Sequence, residues 1–294
     1  MPAVQVAPRI TLNNILLATD FSDVSMATLP YARALAQGYG AKLFVVHVVP
    51  YEPYVGVPME SPLPVEDDIL WQRAELEFQK FPPSGSLAGV RHEEFLRRGE
   101  LWTALSDLIR KNEIDLVIAG THGRRGLKKV VLGSEAEKIY RRATCPVLTV
   151  GPHVHQPLKD GWRPKHILFA TDFSEIAQQA LPYALSLAEE AEGTLTLVNM
   201  MPMVSWHYQR ALEERTRQKL DALLPEEIAC RTESLVGFDF AAEGIIKVAR
   251  QYCPDMIVMG VRKPVAATLQ AHMPWSTASS VVNEAPCPVL TVRA

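Results

Sequence analysis

The chain carries the same pattern twice, and this duplication limits its fold more than any other feature. Residues 15–50 align with residues 167–202 at a constant offset of 152 and without a gap, and about 16 of the 36 paired positions are identical. Ala18-Thr19-Asp20-Phe21-Ser22 returns as Ala170-Thr171-Asp172-Phe173-Ser174, and Leu29-Pro30-Tyr31-Ala32 as Leu181-Pro182-Tyr183-Ala184. Further on, residues 115–120 match residues 255–260 at an offset of 140, and residues 145–150 match 287–292 at an offset of 142. The second copy is therefore shorter in its middle and has gained two residues between its last two blocks. A length of 294 residues favours two domains of ordinary size. The expected boundary lies in residues 151–164, with three prolines, two glycines and no apolar periodicity, so that residues 1–152 form one domain and 153–294 the other.

Each copy alternates strand and helix. In the first, residues 15–20 form a short apolar run ending in a polar residue, and residues 25–37 have helix-like apolar spacing. Residues 43–49 are apolar and rich in valine, as in a strand buried on both faces. A charged amphipathic helix is expected over 66–80, a weaker strand over 91–96 and a helix over 101–111. A buried strand follows at 115–119, then a helix at 134–142 and a last strand at 146–150. Alternation of this kind implies an α/β fold, a parallel sheet with helices on both faces.

Between the fourth strand and the helix after it stands a distinctive spacing. Gly120 is followed by two residues and Gly123, then by nine residues and Gly133-Ser134. A glycine-rich turn from a strand to a helix N-terminus leaves backbone N–H groups facing outward, where they can hold an anion. The spacing therefore points to a nucleotide phosphate. Gly120 and Gly123 would let the backbone come close to ribose and phosphates, and Ser134 adds a hydroxyl. Arg124, Arg125, Lys128 and Lys129 lie in the nine-residue stretch and could offset phosphate charge, or form a solvated basic loop.

These features resemble the universal stress protein family, in particular its tandem two-domain members. The resemblance covers nearly the whole chain and rests on four features. They are ATDFS at the end of the first strand, the Gly-2x-Gly-9x-Gly-Ser loop, the GSEAEKI helix start and the closing CPVLTV strand. It implies two Rossmann-like domains, each a five-stranded parallel sheet of order 3-2-1-4-5, paired within the chain through their last strands as a pseudo-dimer. A homodimer of chains is compatible with it. That order sets the topological switch between the first and fourth strands, where open α/β sheets bind ligands.

In nucleotide-binding members the aspartate ending the first strand contacts the adenine end, which maps onto Asp20. A valine after the second strand contacts adenine through its backbone, which maps onto Val48. The loop glycines map onto Gly120, Gly123 and Gly133, with Ser134 at the phosphates. The residue after that serine is usually small or apolar, but here it is Glu135, whose carboxylate suits a helix start yet would repel phosphate if it pointed inward. Asp20 has an alternative, as a brace for the following helix. ATP, with or without Mg2+, is the expected ligand.

The second copy departs from the pattern. Gly260 remains, but Lys263-Pro264 replaces the second glycine, Trp275-Ser276 stands at the Gly-Ser position, and Asn199-Met200 replaces His47-Val48. Domain two is expected not to bind ATP in the family manner, its pocket being filled by its own side chains or suited to a more apolar ligand.

Composition narrows the alternatives. Net charge is −3, so no global basic field draws the chain to nucleic acid or an anionic membrane. No apolar run approaches a membrane span, and residues 1–10 lack the apolar core of a secretory signal. Cys145, Cys230, Cys253 and Cys287 form no CxxC pair and read as thiols in a reducing cytoplasm. Three functions stay open. The first is an ATP-binding stress-response module. The second is a weak ATPase or autophosphorylating protein, with Asp20 or His122 assisting, although GxxxxGK[ST] and a magnesium carboxylate pair are lacking. The third is a scaffold that needs no nucleotide.

Overall fold

The computed structural model describes residues 9–50, 65–83, 85–121, 134–154, 161–261 and 275–293. In the helices that begin at 65, 134 and 275, side chains are described from Ile69, Ala136 and Thr277 onward. In the first half β1 (Asn14–Ala18) is followed by α1 (Asp23–Met26), α2 (Leu29–Tyr39), β2 (Lys42–Val49) and α3 (Val65–Gln79). Then come β3 (His92–Arg98), α4 (Leu101–Lys111), β4 (Leu116–Gly120), α5 (Ser134–Arg142) and β5 (Val147–Val150). The second half runs β6 (His166–Ala170), α6 (Glu175–Glu190), β7 (Thr194–Met201), α7 (Trp206–Asp221) and β8 (Arg231–Phe238). It ends with α8 (Ala241–Tyr252), β9 (Met256–Val261), α9 (Trp275–Glu284) and β10 (Val289–Arg293).

The strands form one ten-stranded sheet in the order β3-β2-β1-β4-β5-β10-β9-β6-β7-β8. Every pairing within a half is parallel, and each half has the expected order. The halves join where β5 meets β10, the one antiparallel pairing among these strands, with Leu148 opposite Leu290. Two hydroxyls seal the seam reciprocally. Thr149 Oγ1 donates to the Val289 carbonyl at 3.1 Å, and Thr291 Oγ1 donates to the Val147 carbonyl at 3.1 Å.

Both faces of the sheet are apolar because a parallel sheet is covered by helices on both sides. Along β1, Ile15 and Leu17 enter a core beneath α2 and α6, while Leu16 enters the opposite core beneath α4, α5, α8 and α9. Each core contains residues of both halves, so the packing runs through the seam without a break. Trp162, from the connection between the halves, packs edge-on against Tyr31 at 5.1 Å.

One expectation is corrected by the structure. The single helix expected over 25–37 is two helices, α1 and α2, whereas its counterpart α6 runs continuously through Pro182. The proline is common to both halves, so it does not decide the difference. The residues before it do: Ser25 and Thr28 stand where α6 has Ala177 and Ala180. Thr28 N–H turns back to the Ser25 carbonyl at 3.1 Å, and its hydroxyl donates to the same carbonyl. Side chains that bond to nearby backbone compete with helix continuation, whereas alanine favours it.

Two outcomes follow from the seam. Leu148→Ala, at a fully buried position shared by both halves, is expected to cost about 2–5 kcal/mol and to lower the unfolding of the whole chain in a single denaturant transition. Burial pushes the Cys145 and Cys287 thiols from 9.0 to about 12. The folded state therefore holds the protonated thiols more tightly than the unfolded chain does. Their contribution is fully present below pH 9.0 and is lost as pH rises towards about 12. The denaturation midpoint should fall across that window, and should fall less steeply in Cys145→Ala/Cys287→Ala, as followed by denaturant melts at several alkaline pH values.

Candidate functional site

The switch point is where β1 lies between β2 and β4. Ala18 stands opposite Ala119, so the residues leaving β1 and those leaving β4 are level at the carboxyl end of the sheet. Helix α5 follows β4 in the chain and leads back to β5, which is parallel to β4, so its N-terminus at Ser134 is at the same end. Asp20, Val48, Gly120 and the start of α5 thus share one end of the first half. Gly123, Arg124 and Gly133 lie outside the described residues, as do the side chains of Ser134 and Glu135.

The turn leaving β1 is tightly specified. Thr19 Oγ1 accepts from Phe21 N–H at 3.0 Å, and Asp20 Oδ1 accepts from Ser22 N–H at 3.0 Å and from the Ser22 hydroxyl at 2.6 Å. Ser22 then caps α1 by accepting from Ser25 N–H. Phe21 adopts φ 60°, a left-handed conformation that costs energy at a non-glycine residue and is held by these bonds. Its ring packs on His47, Phe78 and Phe81 at centroid distances of 5.0, 5.3 and 5.9 Å.

The second half builds the same turn. Thr171 Oγ1 accepts from Phe173 N–H and Asp172 Oδ1 from Ser174 N–H, both at 3.0 Å, with Phe173 at φ 63°. The brace considered for Asp20 is therefore present in both halves. It occupies Oδ1, and the sequence held no signal for it beyond the repetition of ATDFS.

Gly120 also has a structural reason. A Cβ there would stand 3.2 Å from Ser25 Cα and 3.3 Å from the Val24 carbonyl oxygen, so α1 lies directly against the end of β4. At Gly260 the approach is closer still, with the Ile176 carbonyl oxygen at 2.5 Å. This contact explains why glycine persists at that position in the half that lost the rest of the loop.

Val48 is half-buried at the end of β2, on the α4 side. Its partner in register is Arg97, and beyond it lies a concave surface of about 760 Å3 lined by Arg97, Arg98, Glu100, Thr103, Asp107 and Arg110 among others. The charges there are already engaged. Glu100 caps α4 by accepting from Thr103 N–H at 2.6 Å, Arg110 and Lys111 pair with Asp107 at 3.2 and 2.7 Å, and Arg98 lies over the Trp71 ring. A helix start capped by its own carboxylate repels an anion, so this concavity lacks the character of a phosphate site.

At the corresponding place in the second half, Met200 is in register with Gly237. A Cβ on Gly237 or Gly244 would stand 2.6 or 2.4 Å from the Met200 sulfur, so the thioether lies in the hollow those two glycines leave. Met200 thus occupies the counterpart of the Val48 surface, while Lys263, Pro264 and the Trp275 side chain, on which the rest of the expectation for the second pocket turned, lie outside the described residues. The signal in the sequence was the glycine pair, which pattern reading did not connect to Met200.

The universal stress protein family profile matches residues 11–151 and again residues 164–293. The chain belongs to the universal stress protein family. Its two family domains stand in tandem. A universal stress protein of Synechocystis is 25% identical over 96% of this chain and 100% of its own length. Shorter relatives match about half of the chain. A universal stress protein of Methanocaldococcus jannaschii is 30% identical over 46% of this chain and 80% of its own, and one of Thermus aquaticus is 35% identical over 46% and 96%. Among solved structures, a universal stress protein from Archaeoglobus fulgidus shares the fold over 97% of this chain and 99% of its own, with a TM-score of 0.67 at 20% identity. Among the described residues, no helix is long and apolar enough to cross a membrane.

The two glycines at the end of β4 and β9 give a direct test of their packing role. Gly260→Ala is expected to destabilise the protein markedly, because the new methyl meets a backbone carbonyl, and Gly120→Ala to do so less, since a shift of a few tenths of an ångström accommodates it. Thermal melts of the two variants, measured side by side, check the order.

Proposed function

We propose that the first domain of this universal stress protein binds an adenine nucleotide, ATP with or without Mg2+, and that the protein acts as a cytoplasmic stress-response binding module. The observation that carries the proposal is the coincidence at one end of the sheet. The Asp20 turn, the end of β4 and the start of α5 share the switch point, and the Gly-2x-Gly-9x-Gly-Ser spacing joins the last two. In this reading Asp20 and Val48 face the base, Gly120, Gly123 and Gly133 allow close backbone approach, and Ser134 and Arg124 meet phosphate. Glu135, one residue into α5, belongs to the same loop end, and its carboxylate suits the helix start. The contrast between the halves supports it: the second keeps the turn and the packing glycine, lacks the other loop glycines and lays a half-buried Met200 against Gly237 and Gly244.

A nucleotide-independent scaffold is the second reading, favoured by the structural work that Asp20 and Gly120 do in common with Asp172 and Gly260. The two readings separate when the purified protein is denatured and the released nucleotide identified by mass spectrometry, followed by titration with ATP. Adenine nucleotide approaching one per chain supports the proposal, and its ATP-to-ADP ratio reports on hydrolysis. In the variants, Gly123→Leu should abolish binding with the melting temperature little changed, and Asp20→Ala should weaken ATP about ten-fold, or about 1.4 kcal/mol, and reduce its preference over GTP. No bound nucleotide together with a blank titration would put the scaffold first.

A further inference from the structure

The two halves make the same buried hydrogen bond with different chemistry. His47, at 9% exposure, has Nδ1 2.8 Å from the Thr19 carbonyl oxygen. Asn199, at 6% exposure, donates from Nδ2 to the Thr171 carbonyl oxygen, also at 2.8 Å. A carbonyl oxygen only accepts, so the imidazole carries its proton on Nδ1. The carbonyl in each case belongs to the residue that opens the strained turn. Thr19 N–H bonds to the Val46 carbonyl and Thr171 N–H to the Val198 carbonyl, both at 3.0 Å. The peptide following that threonine is therefore held on its carbonyl side by the second strand's side chain, just before the aspartate.

From this juxtaposition we infer that His47 is a positioning residue for the nucleotide site: its Nδ1–H pins the Thr19 carbonyl, and so fixes the Asp20-Phe21-Ser22 turn that would present Asp20 to the base. The inference rests on the nucleotide reading for its consequence, but the pinning itself does not. Three observations carry it. The bond is buried and therefore costly to leave unmade. Phe21 packs at a tilt against the same ring, so His47 holds the turn through its backbone and through its strained residue. The second half preserves the donor with an amide, and there Asn199 Oδ1 has no hydrogen-bond partner among the described residues. Donation to the threonine carbonyl is thus the property common to both side chains.

The test compares His47→Asn, which restores the donor in the form the second half uses, with His47→Leu, which removes it. In the protein that binds ATP, His47→Leu should raise the ATP Kd about ten-fold and reduce discrimination against GTP, while His47→Asn stays within about three-fold of the starting protein. Equal weakening by both variants, or normal affinity in a folded His47→Leu protein, overturns the inference. A second measurement reads the turn without nucleotide. Amide hydrogen exchange at Phe21 and Ser22 should quicken in His47→Leu and stay slow in His47→Asn, and unchanged exchange in His47→Leu overturns it. Should His47→Leu fail to fold, ring 15N shifts of His47 in the unsubstituted protein decide: a protonated Nδ1 supports the pin, and an unprotonated Nδ1 with protonated Nε2 overturns it. A protein that binds no ATP but shows the expected exchange pattern retires the nucleotide reading and keeps the pin.

Discussion

The antiparallel pairing of β5 with β10 is the constraint on which the rest depends. A five-stranded parallel sheet ends in two open edges, and the edge at the last strand is a short apolar run, Val147–Val150 or Val289–Arg293, that invites association. Joining the two runs removes both edges at once and leaves β3 and β8 outermost, where charged residues such as Glu93, Arg97, Arg231 and Glu233 are exposed. The seam also reaches the site. The Arg293 guanidinium, at the end of β10, donates from Nη1 to the carbonyls of Arg141 and Ala143, at the C-terminal end of α5. A cation there complements the helix dipole and satisfies carbonyls that have no intrahelical partner. The helix whose first residue is Ser134 in the proposed phosphate site is therefore anchored at its far end by the other half. The degenerate half has a physical task even without a ligand of its own.

Much of this architecture was legible because the strands have two buried faces. Continuous runs such as Leu43–Val49 and Leu116–Ala119 cannot be covered on both sides except in a layered α/β sheet, and the repeat then counts the strands twice. The strand order came from family resemblance rather than from periodicity, since nothing in an apolar run names its neighbour. The break between α1 and α2 was not legible from the proline, because Pro30 and Pro182 occupy the same place in a broken and an unbroken helix. It lay in the Ser and Thr side chains before Pro30, whose competing backbone bonds become decisive only once Thr28 is buried.

The site was legible to a different degree at each residue, and the reason is physical. Asp20 and Gly120 attract notice as ligand groups because aspartate and glycine at strand ends often serve ligands. Both also do work that any strand-to-helix reversal of this shape requires: Asp20 Oδ1 closes the turn, and Gly120 admits α1 against β4. Single-residue reading cannot separate those two kinds of demand, because each selects the same residue type. An internal duplicate can. What the second half keeps, Asp172 and Gly260, serves the fold, and what it abandons, the glycines at the positions of Lys263 and Trp275, is what the fold does not need there.

The same comparison sharpens the meaning of Met200. A thioether lies over two glycines that come from different elements, Gly237 on β8 and Gly244 on α8, and a Cβ on either would stand within 2.6 Å of its sulfur. Three positions therefore fit one another, and in the first half the corresponding positions, Val48, Arg97 and Ala104, do not reproduce that fit. A flexible, unbranched side chain suits an irregular gap. Filling it from within recovers packing that a void would forfeit. The end of β7 is thus packed from within by a methionine, whereas its counterpart at the end of β2 is the shorter, half-buried Val48.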